Sequence, residues 1–285
     1  MRYVLEPSLT HLLAAELLEK AQVPKPTAKG TPLRYSSAYG CMRQQGYAAI
    51  GAVPTEPMDE SGAWVTGLGT IIHEALQEAI SKVYPNAEFE VASQHGSVIS
   101  GSCDALVEVD GEWVLFELKT MGTYSFDKQV GWNRMRGTVG TPEGPAQKAI
   151  VQAGMNALGI EKERGITINT IIMGSIGFEA LSKQKADKVG IEGYNRFLAE
   201  FHIDREEWEP IAQAELTRMV EIYDTLAEGV LPDRWAIDDE GTEIQLSPEG
   251  RAWQCAYCAF KTTCSEDGPG IIHVLDSFAN IEENN

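Results

Sequence analysis

The alternation of apolar and polar residues along the chain predicts a mixture of helices and strands. Apolar positions at helical spacing predict helices over residues 8–21, 64–84 and 145–158. Alternating runs rich in β-branched residues predict strands over residues 87–94 and 166–176. Two further strand-like runs flank Asp110-Gly111, a pair that favours a tight hairpin turn because both turn positions require positive φ.

Prolines and a pair of serines divide the region after the first predicted helix. Pro24, Pro26 and Pro32 mark a linker. Ser36 or Ser37 is a candidate N-cap for a helix that runs to about Ile50. The region before residue 60 is therefore expected to be largely helical.

The second half of the chain contains two loops and a long helical region. Residues 131–144 are glycine-rich and residues 238–250 are acidic, so both are predicted to be loops. Residues 191–228 are predicted to be helical with a break near residues 202–204. From residue 61 the order of helix, three strands, helix and strand predicts an α/β fold with a sheet covered on its faces.

The predicted hairpin brings charged side chains together. Its register pairs Asp104 with about Glu117, and Lys119 projects to the same face because side chains two apart on a strand point the same way. Two adjacent carboxylates are costly unless a cation lies between them, and oxygen ligands suit a divalent metal. Such a metal would polarise a phosphodiester while Lys119 orients or activates a water. The alternative is a surface hairpin with solvated charges.

Two neighbouring features allow more than one interpretation. His73 follows apolar residues at helical spacing, so it is either a residue at the edge of the core or a third metal ligand. The stretch after Lys119 interleaves basic and aromatic residues, which suits single-stranded nucleic acid but also fits an ordinary polar loop. These residues are Tyr124, Phe126, Lys128, Trp132, Arg134 and Arg136.

Charge and hydropathy restrict the class of protein. The formal net charge is −19, which argues against an indiscriminate binder of nucleic acid. The charge is uneven, because residues 200–285 hold 20 acids and 5 bases whereas residues 113–199 hold 8 acids and 11 bases. No apolar run approaches a membrane span and the first residues lack a signal-peptide core, so we expect a cytoplasmic protein without membrane contact.

Three of the five cysteines form a cluster near the end of the chain. Cys255, Cys258 and Cys264 have the spacing Cys-x2-Cys-x5-Cys, which in an intracellular protein indicates a metal site. Cys41 is the natural fourth ligand, because Cys103 lies in a predicted strand. Four thiolates fit either tetrahedral zinc or an iron–sulfur cluster. Either group would join the two ends of the chain as a structural staple.

The order of these motifs resembles a known family over about residues 33–265. The series is Ser-Ser-x3-Cys, Gly-x3-His, Gly-x2-Asp, Glu-x-Lys-Thr, a glutamine-bearing helix and the terminal cysteine motif. It resembles the PD-(D/E)xK nuclease superfamily in its RecB-type exonuclease branch. It is most similar to the iron–sulfur members, the CRISPR adaptation exonucleases and their phage relatives, which implies a bacterial, archaeal or phage source.

The resemblance implies a fold and a domain plan. The fold is a restriction-endonuclease-like α/β core, a mixed central sheet flanked by helices, with an iron–sulfur staple between the terminal helical parts. Residues 1–60 would form the N-terminal helical part, residues 61–180 the nuclease core and residues 181–285 the C-terminal helical part.

The resemblance also implies roles for individual residues. His73, Asp104, Glu117 and the main-chain carbonyl of Leu118 would bind Mn2+ or Mg2+, and Lys119 would be the catalytic lysine. A [4Fe-4S] cluster becomes the favoured alternative to zinc, with four ligands: Cys41, Cys255, Cys258 and Cys264. Apart from the resemblance, the interleaved basic and aromatic residues themselves predict contacts with DNA through Lys128, Trp132, Arg134 and Arg136.

The chain departs from the family pattern on the glutamine-bearing helix. The family carries Gln-x3-Tyr, but here Gln147 is followed by Val151 and Gln152 by Asn156, and alignment puts Gly154 in place of the tyrosine. Gln152 remains the candidate for a substrate contact.

The resemblance implies a metal-dependent exonuclease that hydrolyses linear, single-stranded DNA ends. A rival interpretation is a DNA-binding adaptor that delivers ends to a basic integrase or recombination partner through its acidic C-terminal third. A third is a zinc-stapled restriction-like endonuclease. Since several members of the superfamily form rings, a homo-oligomer is a further expectation.

Overall fold

The computed structural model describes residues 32–56, 60–133, 135–238, 241–247 and 252–267. The predicted helix over residues 8–21, the linker prolines Pro24 and Pro26, and Arg134 lie outside the described residues. Within the described part, no helix has the length and apolar character that crossing a membrane requires.

Ten strands are described, and six of them form a central mixed sheet. The strands are β1 (Leu33–Arg34), β2 (Glu88–His95), β3 (Ile99–Val109), β4 (Glu112–Met121), β5 (Trp132–Asn133), β6 (Thr138–Val139), β7 (Ile168–Gly177), β8 (Leu198–Asp204), β9 (Trp235–Ile237) and β10 (Glu243–Gln245). The sheet has the order β1-β3-β4-β7-β8, with β2 also paired to β3. Parallel pairs (β1 with β3, β4 with β7) alternate with antiparallel ones, so the sheet is mixed as predicted.

Helices flank this sheet. The described helices are α1 (Met42–Ala49), α2 (Glu60–Val83), α3 (Thr123–Gln129), α4 (Gln147–Arg164), α5 (Lys183–Val189), α6 (Arg205–Ala227), α7 (Trp253–Ala256) and α8 (Lys261–Glu266). Helix α4 packs on β2, β3, β4 and β7, and α6 packs on α4, β7 and β8. The main core lies between these layers and includes Leu106, Leu115, Met155, Ile171, Trp208 and Met219.

The predicted hairpin is confirmed. Asp110 and Gly111 have φ values of 53° and 85°, which a turn of this type requires. The pairing runs from Val109 opposite Glu112 to Ala105 opposite Phe116. The strands expected at residues 87–94 and 166–176 are also present as β2 and β7.

The predicted N-cap at Ser36 or Ser37 is wrong. Residues Tyr35–Ser37 form one turn of 3-10 helix, and α1 begins only at Met42 with Cys41 as its N-cap. The chain leaves the helical path between them, because Ala38 has a non-helical ψ of 143° and Tyr39 has a positive φ of 60°. Cys41 therefore starts the helix instead of lying within it.

The prediction that residues 191–228 are helical is correct only for the second part. A 3-10 turn (Gly193–Arg196) is followed by β8, and the helix starts at Arg205. Pairing with β7 explains the difference, since Phe201 lies opposite Met173 and Ile203 opposite Ile171. This tertiary pairing outweighs the local helix propensity of the strand residues.

Short strands also lie within the two predicted loops. Strands β5 and β6 form a two-stranded ribbon inside residues 131–144. Strand β10 lies inside residues 238–250 and pairs with β9, which comes just before them. The central sheet includes β1 and β8, which precede and follow residues 61–180 in the sequence.

Candidate active site

Strands β3 and β4 separate where the pairing of the hairpin ends. The last paired residues are Ala105 and Phe116. Beyond them, β4 continues along β7, and β3 continues along β2 on one edge and meets β1 on the other, at Ile99 and Ser100. Since β1 and β4 share one edge of β3, residues 101–104 face a gap in the sheet on that edge.

Asp104 extends its side chain across this gap. Its Oδ2 accepts a hydrogen bond from the backbone N–H of Leu118 at 2.6 Å. In a strand, the N–H and C=O of one residue point to the same edge. The carbonyl of Leu118 therefore also faces the gap.

Glu117 is the buried acid of the site. Its side chain is 2% exposed, and burial raises its pKa to about 7. Its Oε1 accepts hydrogen bonds from Lys119 Nζ at 2.6 Å and from Gln152 Nε2 at 2.9 Å. Its Oε2 is buried and has no hydrogen-bond partner among the described residues. One oxygen of this carboxylate thus remains to receive a ligand.

Gln152 completes a three-way network on the face of α4 that covers the gap. Besides its bond to Glu117, it accepts a hydrogen bond from Lys119 Nζ at 3.2 Å through Oε1. The structure therefore brings together the predicted residues Asp104, Glu117, Lys119 and Gln152.

His73 reaches the same site from α2. This helix approaches β4 at Gly69, where an added Cβ would lie 3.2 Å from the Thr120 hydroxyl. One turn later, His73 Nδ1 lies 3.3 Å from Asp104 Oδ1, and this hydrogen bond raises the pKa of the imidazole. Of the two interpretations of His73, the structure supports a place in the site.

The gap opens into a cavity of about 200 Å3 that the sequence did not fully predict. Its lining consists of Arg34, Tyr35, Ser36, Gly101, Ser102, Asp104, Glu117, Lys119 and Gln152. Arg34, the cation that sequence reasoning missed, arrives through the pairing of β1 with β3, which no local pattern signals. Close packing explains why the Gly-x2-Asp motif begins with glycine, since a Cβ on Gly101 would lie 2.5 Å from the Tyr35 ring.

The donors at this site suit a hard divalent cation. Carboxylate and carbonyl oxygens are the preferred ligands of Mg2+ and Mn2+, and imidazole is also accepted. In the structure as described, His73 is bonded to Asp104, and Lys119 to Glu117. No three described His, Cys, Asp or Glu side chains are placed to share one ion. The buried Oε2 of Glu117 has no hydrogen-bond partner among the described residues, so it is open to a cation.

The missing tyrosine of α4 has a structural explanation. An added Cβ at Gly154 would lie 2.8 Å from the Cβ of Ala212 and 3.2 Å from Trp208, because α4 and α6 cross there. Asn156, four residues after Gln152, is fully buried and donates a hydrogen bond to the Ser102 carbonyl at 3.0 Å. Neither position leaves room for a large side chain that contacts substrate.

The predicted DNA-contacting residues line a different cavity. Lys128, Trp132 and Arg136 border a space of about 460 Å3 between α3 and the β5–β6 ribbon. Trp132 is only 7% exposed, so it forms a wall of this cavity. Arg134 lies outside the described residues.

The four predicted cluster ligands line a third cavity. They are Cys41, Cys255, Cys258 and Cys264, and Gln44, Tyr47, Arg234, Gln254 and Lys261 complete the lining. The four cysteines are free thiols. Burial raises the pKa of Cys41, and it raises the pKa of Cys258 to about 11. Cys103 lies apart on β3 and is fully buried, as the sequence suggested.

Polar groups support these sulfurs and tie the ends of the described chain together. Arg234 Nε donates to Cys264 Sγ at 3.1 Å, and the Phe260 N–H donates to Cys258 Sγ at 3.4 Å. The N–H groups of Thr55 and Glu56 both donate to the Ala259 carbonyl, at 2.8 and 3.0 Å. The segment after α1 is therefore fixed to the C-terminal helices.

Comparison with known proteins finds similarity only among solved structures. No protein-family model and no curated protein matches the chain. The crystal structure of SSO0001 aligns with 91% of this chain and 97% of that chain, at 17% sequence identity and a TM-score of 0.47. A phage-related exonuclease from Haemophilus somnus 129PT aligns over 69% of this chain and 95% of its own, at 14% identity and a TM-score of 0.39.

Proposed function

We propose that the chain is a metal-dependent nuclease of the PD-(D/E)xK class, acting as an exonuclease on linear, single-stranded DNA ends. The observation that carries the proposal is Glu117, a buried carboxylate with one bare oxygen, held beside Asp104 and Lys119 in a gap of the sheet. The resemblance to the PD-(D/E)xK superfamily supports the proposal, because it implies metal binding by Asp104 and Glu117 and a catalytic role for Lys119.

Lys119 is the residue that orients the attacking water. Two of the three protons of its ammonium group are donated to Glu117 and Gln152. Among the described contacts, this leaves one proton for a water or a phosphate oxygen. Because both partners are fixed by β4 and α4, the ammonium is held in place before substrate arrives.

Asp104, Glu117, the Leu118 carbonyl and His73 are the residues that would hold Mn2+ or Mg2+. Cation binding relieves the cost of the buried Glu117 charge, since it supplies the partner that Oε2 lacks. The chemistry that a bound divalent ion supplies is polarisation of the scissile phosphate and neutralisation of charge on the leaving oxygen.

The cysteine cavity would hold a [4Fe-4S] cluster with a structural role. Its four thiols lie on segments from both ends of the described chain, and the bonds of Arg234 and Phe260 to sulfur are of the kind that stabilise thiolate ligands. Ligation there would contribute directly to folding energy. Zinc is the alternative, and metal analysis of the purified protein separates the two.

The proposal is tested with end-labelled linear single-stranded DNA and Mn2+, beside a covalently closed single-stranded circle. We expect loss of the linear substrate only, and no loss when Lys119 is replaced by Ala or when EDTA is present. Lys82→Ala is the matched control, because Lys82 is an exposed lysine paired with Glu78 on α2. Cleavage that survives Lys119→Ala contradicts the catalytic assignment, and binding without cleavage under any metal favours the adaptor.

A further inference from the structure

The cavity between α3 and the β5–β6 ribbon has the size and lining of a ligand site. Its volume of about 460 Å3 is in the range of small-molecule pockets. We call it the ribbon cavity, and it is lined by Tyr124, Lys128, Gly131, Trp132, Asn133, Met135, Arg136, Gly140, Thr141 and Glu143. None of these residues lines the active-site cavity.

Two apolar side chains stay exposed at this cavity. Tyr124 is 55% exposed and Met135 is 91% exposed, although both line the same space. Large apolar groups left in water beside one cavity point to a ligand with an apolar face. A nucleobase provides such a face, because each base can stack on an aromatic ring whatever its sequence.

Cations lie against the aromatic rings. Lys128 Nζ lies 5.9 Å from the centre of the Tyr124 ring, and two lysines of α5 lie 5.8 and 5.5 Å from the centre of the Trp132 ring. These two are Lys185 and Lys188. The exposed guanidinium of Arg136 adds a further positive charge to the cavity lining.

The acids at the cavity do not cancel these charges. Glu143 pairs with Lys128 at 2.9 Å, but both side chains are exposed, so this ion pair is weak and a phosphate can compete for the lysine. Asp127 is fully buried and pairs with Lys185. In a chain of net charge −19, a lining that holds Lys128 and Arg136 against the single acid Glu143 favours a partner that carries phosphates.

The ribbon cavity is formed before any ligand binds. Gly140 donates a backbone hydrogen bond to Gly131 at 2.7 Å, and Glu143 donates one to Lys128 at 3.2 Å. Gly131 has a φ of 83°, and a Cβ there would lie 2.9 Å from the Gly140 carbonyl, so this closure requires glycine. A pre-organised pocket loses little entropy when it binds.

The cavity lies within a short reach of the active site. Tyr124 follows Lys119 by five residues, which span about 18 Å at most when fully extended. Stacked nucleotides along one strand are about 3.4 Å apart. About five nucleotides or fewer therefore connect a phosphate at Lys119 to a base at Tyr124.

We infer that the ribbon cavity is a subsite for one unpaired base of the DNA strand whose end lies at Lys119, with Tyr124 as the stacking residue. The position of the subsite rests on the proposed function. The geometry assigns the cavity to single-stranded DNA, because a paired base buries its faces in the stack and cannot enter.

The test measures binding without chemistry. Fluorescence anisotropy in EDTA measures the affinity of the Lys119→Ala protein for a labelled 15-nucleotide single strand. A series of such strands carries one abasic position each, at increasing distance from the end. We expect one abasic position within about six nucleotides of the end to weaken binding about 5-fold or more, the effect of losing one stacked base. This effect should vanish in Tyr124→Ala and persist in Tyr124→Phe.

Tyr84→Ala is the matched control, because Tyr84 is an exposed tyrosine outside the cavity and should keep the abasic effect. Three results would overturn the subsite. They are additive losses of affinity from Tyr124→Ala and the abasic position, equal affinity for single-stranded and duplex DNA, and no measurable binding. Cleavage by the unmodified protein in Mn2+, without coupling between Tyr124 and the abasic position, leaves the nuclease proposal standing. Coupling to Tyr124 without cleavage supports the subsite and rejects the nuclease proposal.

Discussion

The carboxylate of Asp104 and the backbone N–H of Leu118 meet at 2.6 Å, in the place where two neighbouring strands would otherwise exchange a hydrogen bond. The side chain of one strand therefore satisfies the backbone of the next across the gap. As a result, the position of Asp104 is fixed by the sheet itself, and the Leu118 carbonyl is aligned with it. Rigid elements hold site residues more accurately than loops do.

The network of Gln152 gives the first prediction. Gln152→Ala removes the partner that holds Lys119 and Glu117 in register, so we expect cleavage of linear DNA to fall roughly 10- to 100-fold with little loss of stability. Initial rates with Mn2+ and the thermal midpoint measure the two effects.

Gln147→Ala serves as the control for this prediction. Gln147 begins the same helix but does not line the active-site cavity. Equal rates for the Gln152 variant and the unmodified protein would remove Gln152 from the site.

The buried Glu117 predicts a pH dependence of stability in metal-free protein. Burial raises the pKa of Glu117 to about 7 in the folded state, against 4.5 for a solvated glutamate. Between these values Glu117 holds more protons in the folded protein than in the unfolded chain, so its contribution to stability is greatest below pH 4.5 and falls as pH rises to about 7. Glu117→Gln should abolish this decline, a difference of the order of 1–3 kcal/mol at pH 8.

Urea unfolding in EDTA at a series of pH values measures this contribution. Glu78→Gln is the control, because Glu78 is exposed and its variant should keep the decline. A Glu117→Gln protein that loses stability with rising pH as steeply as the parent would show that burial does not raise the pKa of this group.

The cysteine cavity predicts a difference between Cys258, which lines it, and the fully buried Cys103 on β3. Cys258→Ala removes one of the four thiols, so we expect loss of bound iron, of visible colour and of soluble protein together. Cys103→Ala alters a cysteine that lies outside that cavity, and its iron content should stay at the parental level.

Iron and zinc analysis with the visible absorption spectrum checks both variants. A soluble, well-folded Cys258→Ala protein would show that the cavity is not a structural staple. Zinc in place of iron would keep the staple and change the metal.

The contact between α4 and α6 gives a prediction with an unusual sign. Ala is a better helix former than Gly, yet Gly154→Ala should destabilise the protein by about 1–3 kcal/mol, because its Cβ meets that of Ala212 at 2.8 Å. Adding Ala212→Gly should restore part of the loss. Urea midpoints of the single and double variants measure the coupling, and a stabilised Gly154→Ala protein would contradict the close contact.

Short-range chemistry made much of the active site predictable. The Asp110-Gly111 turn fixes the register of its hairpin, and this register alone places Asp104 beside Glu117. The spacing of the terminal cysteines is likewise local, so it identifies a cluster without knowledge of the fold.

Features that depend on distant pairing were not predictable in the same way. Strand β8 forms because β7 provides its partner, although its own residues also suit a helix. Arg34 enters the active-site cavity because β1 pairs with β3. In this pairing Arg34 lies opposite Ser100, which is 66 residues later in the sequence. The position of Cys41 as the N-cap of α1 depends on a positive φ at Tyr39, which residue type does not signal.

The distribution of the four cavity cysteines has a consequence for biosynthesis. Roughly 220 residues separate Cys41 from Cys264, so at about 5–20 residues per second the first thiol leaves the ribosome on the order of 10–45 s before the last. Cys41 therefore emerges without the three cysteines that share its cavity, and it waits for them whatever the order in which the sheet forms. Assembly of this cavity is a late event, and any oxidant that reaches Cys41 during translation acts before the surrounding protein can shield it.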